Sequence, residues 1–404
     1  MSSLTSLNWL IVGGGIHGVH IAAKLLGEAE VDPSRLRIVD PGDRLLERWR
    51  TCTATTGMTH LRSPSVHNLD LNPWSLFRYA GKRKTRKSGL FASPNNRPSL
   101  RFFNDHCDKV IKEYGLSALH IRARATACSL DCDRVTVGLS TGEELTAQNV
   151  VLAIGAGEQP QWPDWALRDD PRIHHIFDQA FAGWPTTLET VAVVGGGISA
   201  AQISLRLIDE GHKVHLVSRH ELREHQFDSD PGWLGPRLMT GFNSEENIDR
   251  RRAMIASARH KGSVPPDVRR SIRDAIYRGR ARWLKGEVDG LDHDGDLLTL
   301  RMTTGATVNA NRVLLATGFA GGRPGGTFID ELVRSASLPC ASCGYPVVDK
   351  ALRWHPRVYV SGPLAELELG PSSRNISGAR RAAERLVAVA TSPEAPTGIQ
   401  RSSP

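Results

Sequence analysis

Apolar positions along the chain switch repeatedly between two periods. Trp9-Leu-Ile-Val12 is a short continuous apolar run, a glycine cluster follows, and Val19 to Leu26 then carries apolar residues at helical spacing. Such a run reads as a buried strand and the spaced stretch as an amphipathic helix. Leu36-Arg-Ile-Val39 supplies the next strand. The same order returns at Val191-Ala-Val-Val194, a second glycine cluster, the helical run Ile198 to Leu207, and the strand Lys213-Val-His-Leu-Val217. Strands alternating with helices predict an α/β fold with parallel sheets.

A second repeat supports two units of related build. Val135 to Gly155 reads as strand, turn and buried strand ending in Ala-Ile-Gly155, and Leu298 to Gly318 follows the same plan to Ala-Thr-Gly318. Ser99 to Tyr114 predicts a helix with Leu100, Phe103, Cys107, Val110 and Tyr114 on one stripe. Pro41 to Pro64 begins as a turn and short helix, then loses periodicity, yet Trp49, Met58 and Leu61 keep it apolar enough to cover a ligand or pack on the sheet edge. From Phe227 to Lys285 the pattern is interrupted. Asp228 to Pro236 reads as loop, and Arg250-Arg-Arg and Asp267 to Ile276 as arginine-rich helices. A last helix is expected from Ala379 to Ala390, with a disordered Pro/Ser/Thr-rich tail from Thr391.

The glycine clusters carry chemistry. Gly13-Gly14-Gly15-Ile16-His17-Gly18 is a Gly-x-Gly-x-x-Gly turn between strand and helix. Its first glycine makes the bend, its second admits a pyrophosphate, and its third lets helix meet strand. Asp40 ends the second strand, where an acid accepts hydrogen bonds from ribose hydroxyls. The later cluster, Gly195-Gly-Gly197-Ile198-Ser199-Ala200, has Ala at the third position, and its second strand ends in Ser218-Arg219. A cation in place of the acid suits a 2′-phosphate, which assigns NADP to this half, with Arg223 close enough to serve instead.

Composition narrows the picture further. The 404 residues are 40% hydrophobic, with a formal net charge of +8. That charge fits anionic ligands; a nucleic-acid module is not indicated beside two glycine turns. The basic run Lys82 to Lys87 reads as a solvated loop. No stretch approaches a membrane span, and no leader is apparent, so cytoplasmic location is the default expectation. The six cysteines read as reduced thiols; Cys340-Ala-Ser-Cys343 lacks partners for a zinc site, and no metal is expected.

Taken together, the two turns, Asp40, Arg219 and Ala-Thr-Gly318-Phe319 resemble the flavoproteins with two dinucleotide-binding domains. Within them the likeness is to class B NADPH-dependent flavin monooxygenases of the lysine/ornithine N-hydroxylase type, since Gly195 to Gln202 is similar to their NADP fingerprint. The resemblance implies two Rossmann-like, three-layer domains, the NADP domain inserted into the FAD domain. Residues 1–160 and 311–390 would form the FAD domain, 186–310 the insert, and 391–404 the tail. It implies FAD on Gly13 to Gly18, Asp40, Trp49, Met58, Gly155 and Gly362, and NADPH on Gly195 to Ala200, Ser218 and Arg219, with Gly318 and Phe319 at the link. His60, Arg62, His67 and Asn375 are candidates beside the flavin, Arg62 for a substrate carboxylate and Asn375 for the flavin itself. Two departures stand out: Thr59, His60 and Arg62 replace the family's glutamine and lysine, and Gly362-Pro363 stands where many such proteins have Gly-Asp. The implied reaction is NADPH-driven formation of a peroxyflavin that oxygenates a small amine or similar nucleophile, with O2 as co-substrate. A reductase serving another acceptor and a non-catalytic nucleotide sensor are the alternatives.

Overall fold

In the computed structural model, the described residues are 7–83, 89–179, 181–295 and 297–392. The basic run falls largely outside them, as does the tail beyond Ser392. Leu7–Val12 sits mid-sheet, parallel to Leu36–Asp40 on one side and Glu144–Leu152 on the other. His120–Arg122 and Val358–Val360 extend the sheet in parallel, and Arg353–His355 closes one edge. Ala125–Leu130 and Val135–Leu139 form a meander on Glu144–Leu152.

Alternation along the central strand explains the layering, since successive side chains face opposite sides of a sheet. Trp9 and Ile11 pack with Val19, Ile21 and Leu25 of the helix Ile16–Gly27, against which the final helix lies. Leu10 and Val12 face the other way, onto Phe328, Ile329 and Leu332 of the helix Gly326–Ala336. The helix Leu100–Glu113 is capped by Ser99, whose hydroxyl accepts from the Phe102 N–H, and buries Phe103, Cys107 and Val110.

The second sheet is wholly parallel, in the order Ala281–Lys285, Lys213–Ser218, Thr190–Val194, Arg312–Leu315, Ile173–His175. Strands of this sheet run from Ile173 to Leu315, on either side of the expected insert limits of 186 and 310. The two repeated hairpins differ at their ends, because the last strand of the second breaks at Asn311. Glu144–Leu152 stays in one sheet throughout, whereas Thr307–Ala310 remains in a three-stranded meander and Arg312–Leu315 crosses to the five-stranded sheet. The final helix also begins earlier than expected, at Ile376. Gly378 lies in its first turn, where a Cβ would come 2.2 Å from the Ser373 carbonyl oxygen. Pro231–Leu234 is a short 3-10 turn and Pro236–Ser244 a helix, where a loop was expected through Pro236.

The two Ala-x-Gly segments meet at the junction of the sheets. Gln161 N–H donates to the Gly318 carbonyl at 2.9 Å, and Ala320 N–H to Gln159 at 2.8 Å. Phe319 stacks on Phe177, centroids 4.9 Å apart. Gly155 is exposed, with open space around its α-carbon. All six cysteines are free. Among the described residues no helix is long and apolar enough to cross a membrane, and no group of metal-ligating side chains assembles.

Candidate active site

The first glycine turn is tightly built. Gly13 has φ +113°, and a Cβ there would lie 2.6 Å from the Ala153 carbonyl oxygen; one on Gly18 would lie 1.8 Å from that of Gly13. Gly15 opens onto free space, with nothing within 4 Å of its Cβ position. Strand and helix are thus in contact through glycines while the phosphate-facing side stays open, as a pyrophosphate requires. Asp40 is oriented by two backbone donors, Gly14 N–H at 2.7 Å and Gly42 N–H at 2.9 Å. The charged carboxylate keeps further lone pairs for ribose hydroxyls.

His17 stands beside this turn. Its Nδ1 lies 2.8 Å from the Ser361 Oγ, and its ring is close to Gly362, which takes the left-handed φ of +64°. Burial pushes the His17 pKa down to about 4, so the ring is neutral at pH 7. Trp49 donates its indole N–H to Asn104 Oδ1 at 3.1 Å and packs on Phe103. Met58 lines a cleft of about 590 Å³ with Thr59, Ser99, Leu100, Arg101, Asn104 and Asp105.

The second turn repeats the plan with changes. Gly195 has φ +154°, its Cβ position 2.4 Å from the Ala316 carbonyl oxygen, and Ala200 is fully buried at the third position. Ile198 and Ser199 open the helix Ile198–Asp209. Ser218 is spent on structure, its hydroxyl donating to the His220 carbonyl and accepting from the Trp283 indole. Arg219 is 73% exposed and only 3.5 Å from Glu287, so it remains able to reach a ligand phosphate.

The candidates between the halves are dispersed. The Arg62 guanidinium is committed to the insert: Nε donates to the Gln226 carbonyl at 2.9 Å, Nη2 to the His225 carbonyl at 2.7 Å and to Ser263 Oγ at 2.8 Å. It is a tie between domains here, a role that reading the 58–64 loop alone could not show. His60 Nε2 reaches the Gly89 carbonyl at 3.2 Å. Burial lowers the His67 pKa to about 4. Asn375 precedes the final helix and donates Nδ2–H to Asp228 Oδ1 at 3.2 Å. Nearby, Glu366 is fully buried among Arg252, Arg259 and Arg374, which hold its carboxyl below the usual range against the opposing effect of burial, and clamp the insert helix Ile248–Ala258 to the C-terminal segment.

Sequence reasoning missed Arg101 and Asp105. They are four residues apart on the cleft side of the helix Leu100–Glu113, hence neighbours on one face. Neither has an ion-pair or hydrogen-bond partner among the described residues. The sequence showed only that both fall off the apolar stripe, which by itself reads as solvated surface.

Two family models match. One, for FAD–NAD(P)-binding domains, covers residues 10–157. The other, L-lysine 6-monooxygenase/L-ornithine 5-monooxygenase, covers residues 99–320, more than half of the chain. The chain belongs to this family. It is thereby a member of a group of flavin-dependent, NADPH-using amine monooxygenases, with FAD and NADP as the cofactors. Solved structures agree in fold. An ornithine N-hydroxylase from Kutzneria sp. 744 aligns over 95% of this chain and 99% of its own at 19% identity, TM-score 0.76. An FAD-bound cadaverine monooxygenase from Erwinia amylovora aligns over 99% and 97% at 16%, TM-score 0.73. L-lysine 6-monooxygenase from Pseudomonas syringae aligns over 95% and 99% at 19%, TM-score 0.71. A curated relative, the ferredoxin–NADP reductase of Ignicoccus hospitalis, is 27% identical over 116 residues, 28% of this chain and 36% of that protein.

Proposed function

We propose that this chain N-hydroxylates a small amine that also carries a carboxylate, using FAD, NADPH and O2, in the cytoplasm. The observation that carries the substrate reading is the unpaired Arg101 and Asp105 side by side in the cleft lined by Met58 and Thr59. A guanidinium is matched to a carboxylate by two parallel N–H donors, and a carboxylate to an ammonium. A substrate bearing both charges would satisfy both groups at once.

FAD, when bound, supplies the redox chemistry and oxygen activation; the chain supplies position, dryness and charge. Gly15 and the helix start Ile16 would hold the pyrophosphate, and Asp40 the ribose. His17 stays uncharged beside Ser361 and adds no positive charge there. Arg219 faces the 2′-phosphate. Met58 and Leu100 give the cleft an apolar wall, which favours the neutral, nucleophilic form of a second substrate amine lying away from Asp105.

The test uses purified holoenzyme with ornithine, lysine and cadaverine, following NADPH and oxygen consumption and the mass of the product. Expected is a product heavier by one oxygen with at least one amino acid. Arg101→Ala should raise KM for that amino acid roughly 10- to 100-fold, the range of a lost charge-assisted hydrogen bond, and leave cadaverine, which has no carboxylate, unchanged. Turnover with a dye or quinone, indifferent to amine and without oxygenated product, would overturn the reading in favour of a reductase.

A further inference from the structure

One segment covers the second glycine turn, and among the described residues nothing equivalent covers the first. The Cβ position of Gly197 lies 3.5 Å from the Gly262 α-carbon, whereas that of Gly15 meets nothing within 4 Å. Gly262 is left-handed, φ +65°, and a side chain on it would strike the His220 ring at 2.8 Å. The same ring lies 2.9 Å from the Cβ position of Gly196. His220 is thus wedged between the turn and the segment above it, and only glycine fits on either side.

The segment is fastened at both ends to other parts of the chain. Ser263 Oγ accepts from Arg62 Nη2 at 2.8 Å, a bond across 201 residues from the flavin-side loop. Arg259 Nη2 donates to the Pro371 carbonyl at 3.1 Å, near the fully buried Glu366. Between them, His260 donates its backbone N–H to the Asp228 carbonyl at 2.8 Å and stacks on His225, centroids 3.7 Å apart.

We propose that Arg259–Ser263 is the gate of the coenzyme site and that Arg62 is its latch. In the conformation seen, the gate occupies the space over Gly197 that a dinucleotide pyrophosphate needs. NADP(H) binds after the segment lifts, and lifting it releases the Arg62 guanidinium from Ser263. Coenzyme entry is thereby coupled to the Met58–Pro64 loop of the other half. Arg62 acts as a positioning residue through Ser263. A ligand that binds only the open form has its affinity reduced by the open fraction, so weakening the latch strengthens binding.

Two measurements on FAD-loaded protein test this, neither relying on turnover. The first is NADP+ titration of the parent and of Ser263→Ala, which removes the latch acceptor. Binding should tighten about tenfold, the scale of one hydrogen bond from a charged donor. Unchanged or weaker binding overturns the gate and makes the segment a fixed wall. The second needs no variant: backbone amide exchange of the parent with and without NADP+. The His260 N–H should exchange faster with coenzyme, because lifting the segment takes it from its partner, the Asp228 carbonyl. Slower or unchanged exchange there overturns the proposal.

Discussion

The two glycine turns solve one problem with different spacing. At Gly13–Gly18 helix and strand touch so closely that the third position has no room for a methyl group; at Gly195–Ala200 the same position holds a buried alanine. The first turn opens freely at Gly15 and carries an acid locked by two N–H donors. The second is covered at Gly197 and offers an exposed, lightly paired arginine. An open cradle with a fixed carboxylate suits a resident cofactor, and a covered one with an exposed cation suits a ligand that comes and goes. Sequence similarity between the turns conceals this division of labour.

The most damaging way to break the comparison is Gly18→Ala, which gives the first turn the residue of the second. Its Cβ would lie 1.8 Å from the Gly13 carbonyl oxygen, so helix and strand must separate. Overpacking of this kind costs on the order of 1–3 kcal/mol or more, and here it also dismantles the phosphate-facing backbone. Flavin absorbance per protein after purification should fall nearly to zero. Full retention of FAD would show that the close approach is not required.

Next in size is an acid sensitivity that the first helix carries and the second lacks. His17 and His20 have Ser199 and Gln202 as counterparts on the second helix. Burial, aided by Arg380, Lys24 and His17, lowers the His20 pKa to about 3, and its Nδ1 faces the Leu69 carbonyl at 2.9 Å. A histidine depressed on folding takes up its proton more readily in the unfolded chain, so stability declines as pH drops below about 6.5 and continues to fall toward 3. At pH 5 the loss from His20 alone is roughly 2 kcal/mol by linkage. His20→Gln, borrowing the second helix's residue, should show a smaller Tm drop between pH 7 and pH 5 than the parent. Parallel pH profiles would remove His20 from the account.

Arg219→Ala sharpens the contrast at the second strand ends. The side chain is 73% exposed and its pairing with Glu287 is loose, so stability should change by no more than about 0.5 kcal/mol. Affinity for NADPH should weaken roughly tenfold, as for a lost charge-assisted contact, with NADH unaffected. Equal losses for both coenzymes would place the 2′-phosphate elsewhere, with Arg223 the next candidate.

How much of this was legible depends on how local each constraint is. Gly13, Gly15, Gly18 and Asp40 encode a geometry closed within a few dozen residues, and the strands beside them announce themselves by apolar runs. The hairpin ending at Gly318 was legible as an element but not its division between two sheets, because pairing partners are chosen by tertiary packing. The commitment of Arg62 to Ser263 and the covering of Gly197 by Gly262 join residues far apart in the chain, through bonds that no periodicity reports. Arg101 and Asp105 were hidden differently: on a helix, charges off the apolar stripe look like ordinary solvated surface until the facing loop is known.

The smallest effect is expected from Ala200→Gly, the reciprocal of the first substitution, and it isolates spacing from chemistry. Ala200 is wholly buried, with its Cβ 3.2 Å from the Cβ position of Gly195. Deleting the methyl costs helix propensity of about 1 kcal/mol and leaves a void too small for water. No donor, acceptor or charge at the second turn is removed. Helix and strand already sit far enough apart, so nothing compels them to move closer. Thermal stability should drop slightly while the dissociation constant for NADP+ stays the same within error. A marked loss of coenzyme binding would mean that the methyl group itself sets the pitch of the turn, and that the looser spacing of this half is an active requirement for holding an exchangeable ligand.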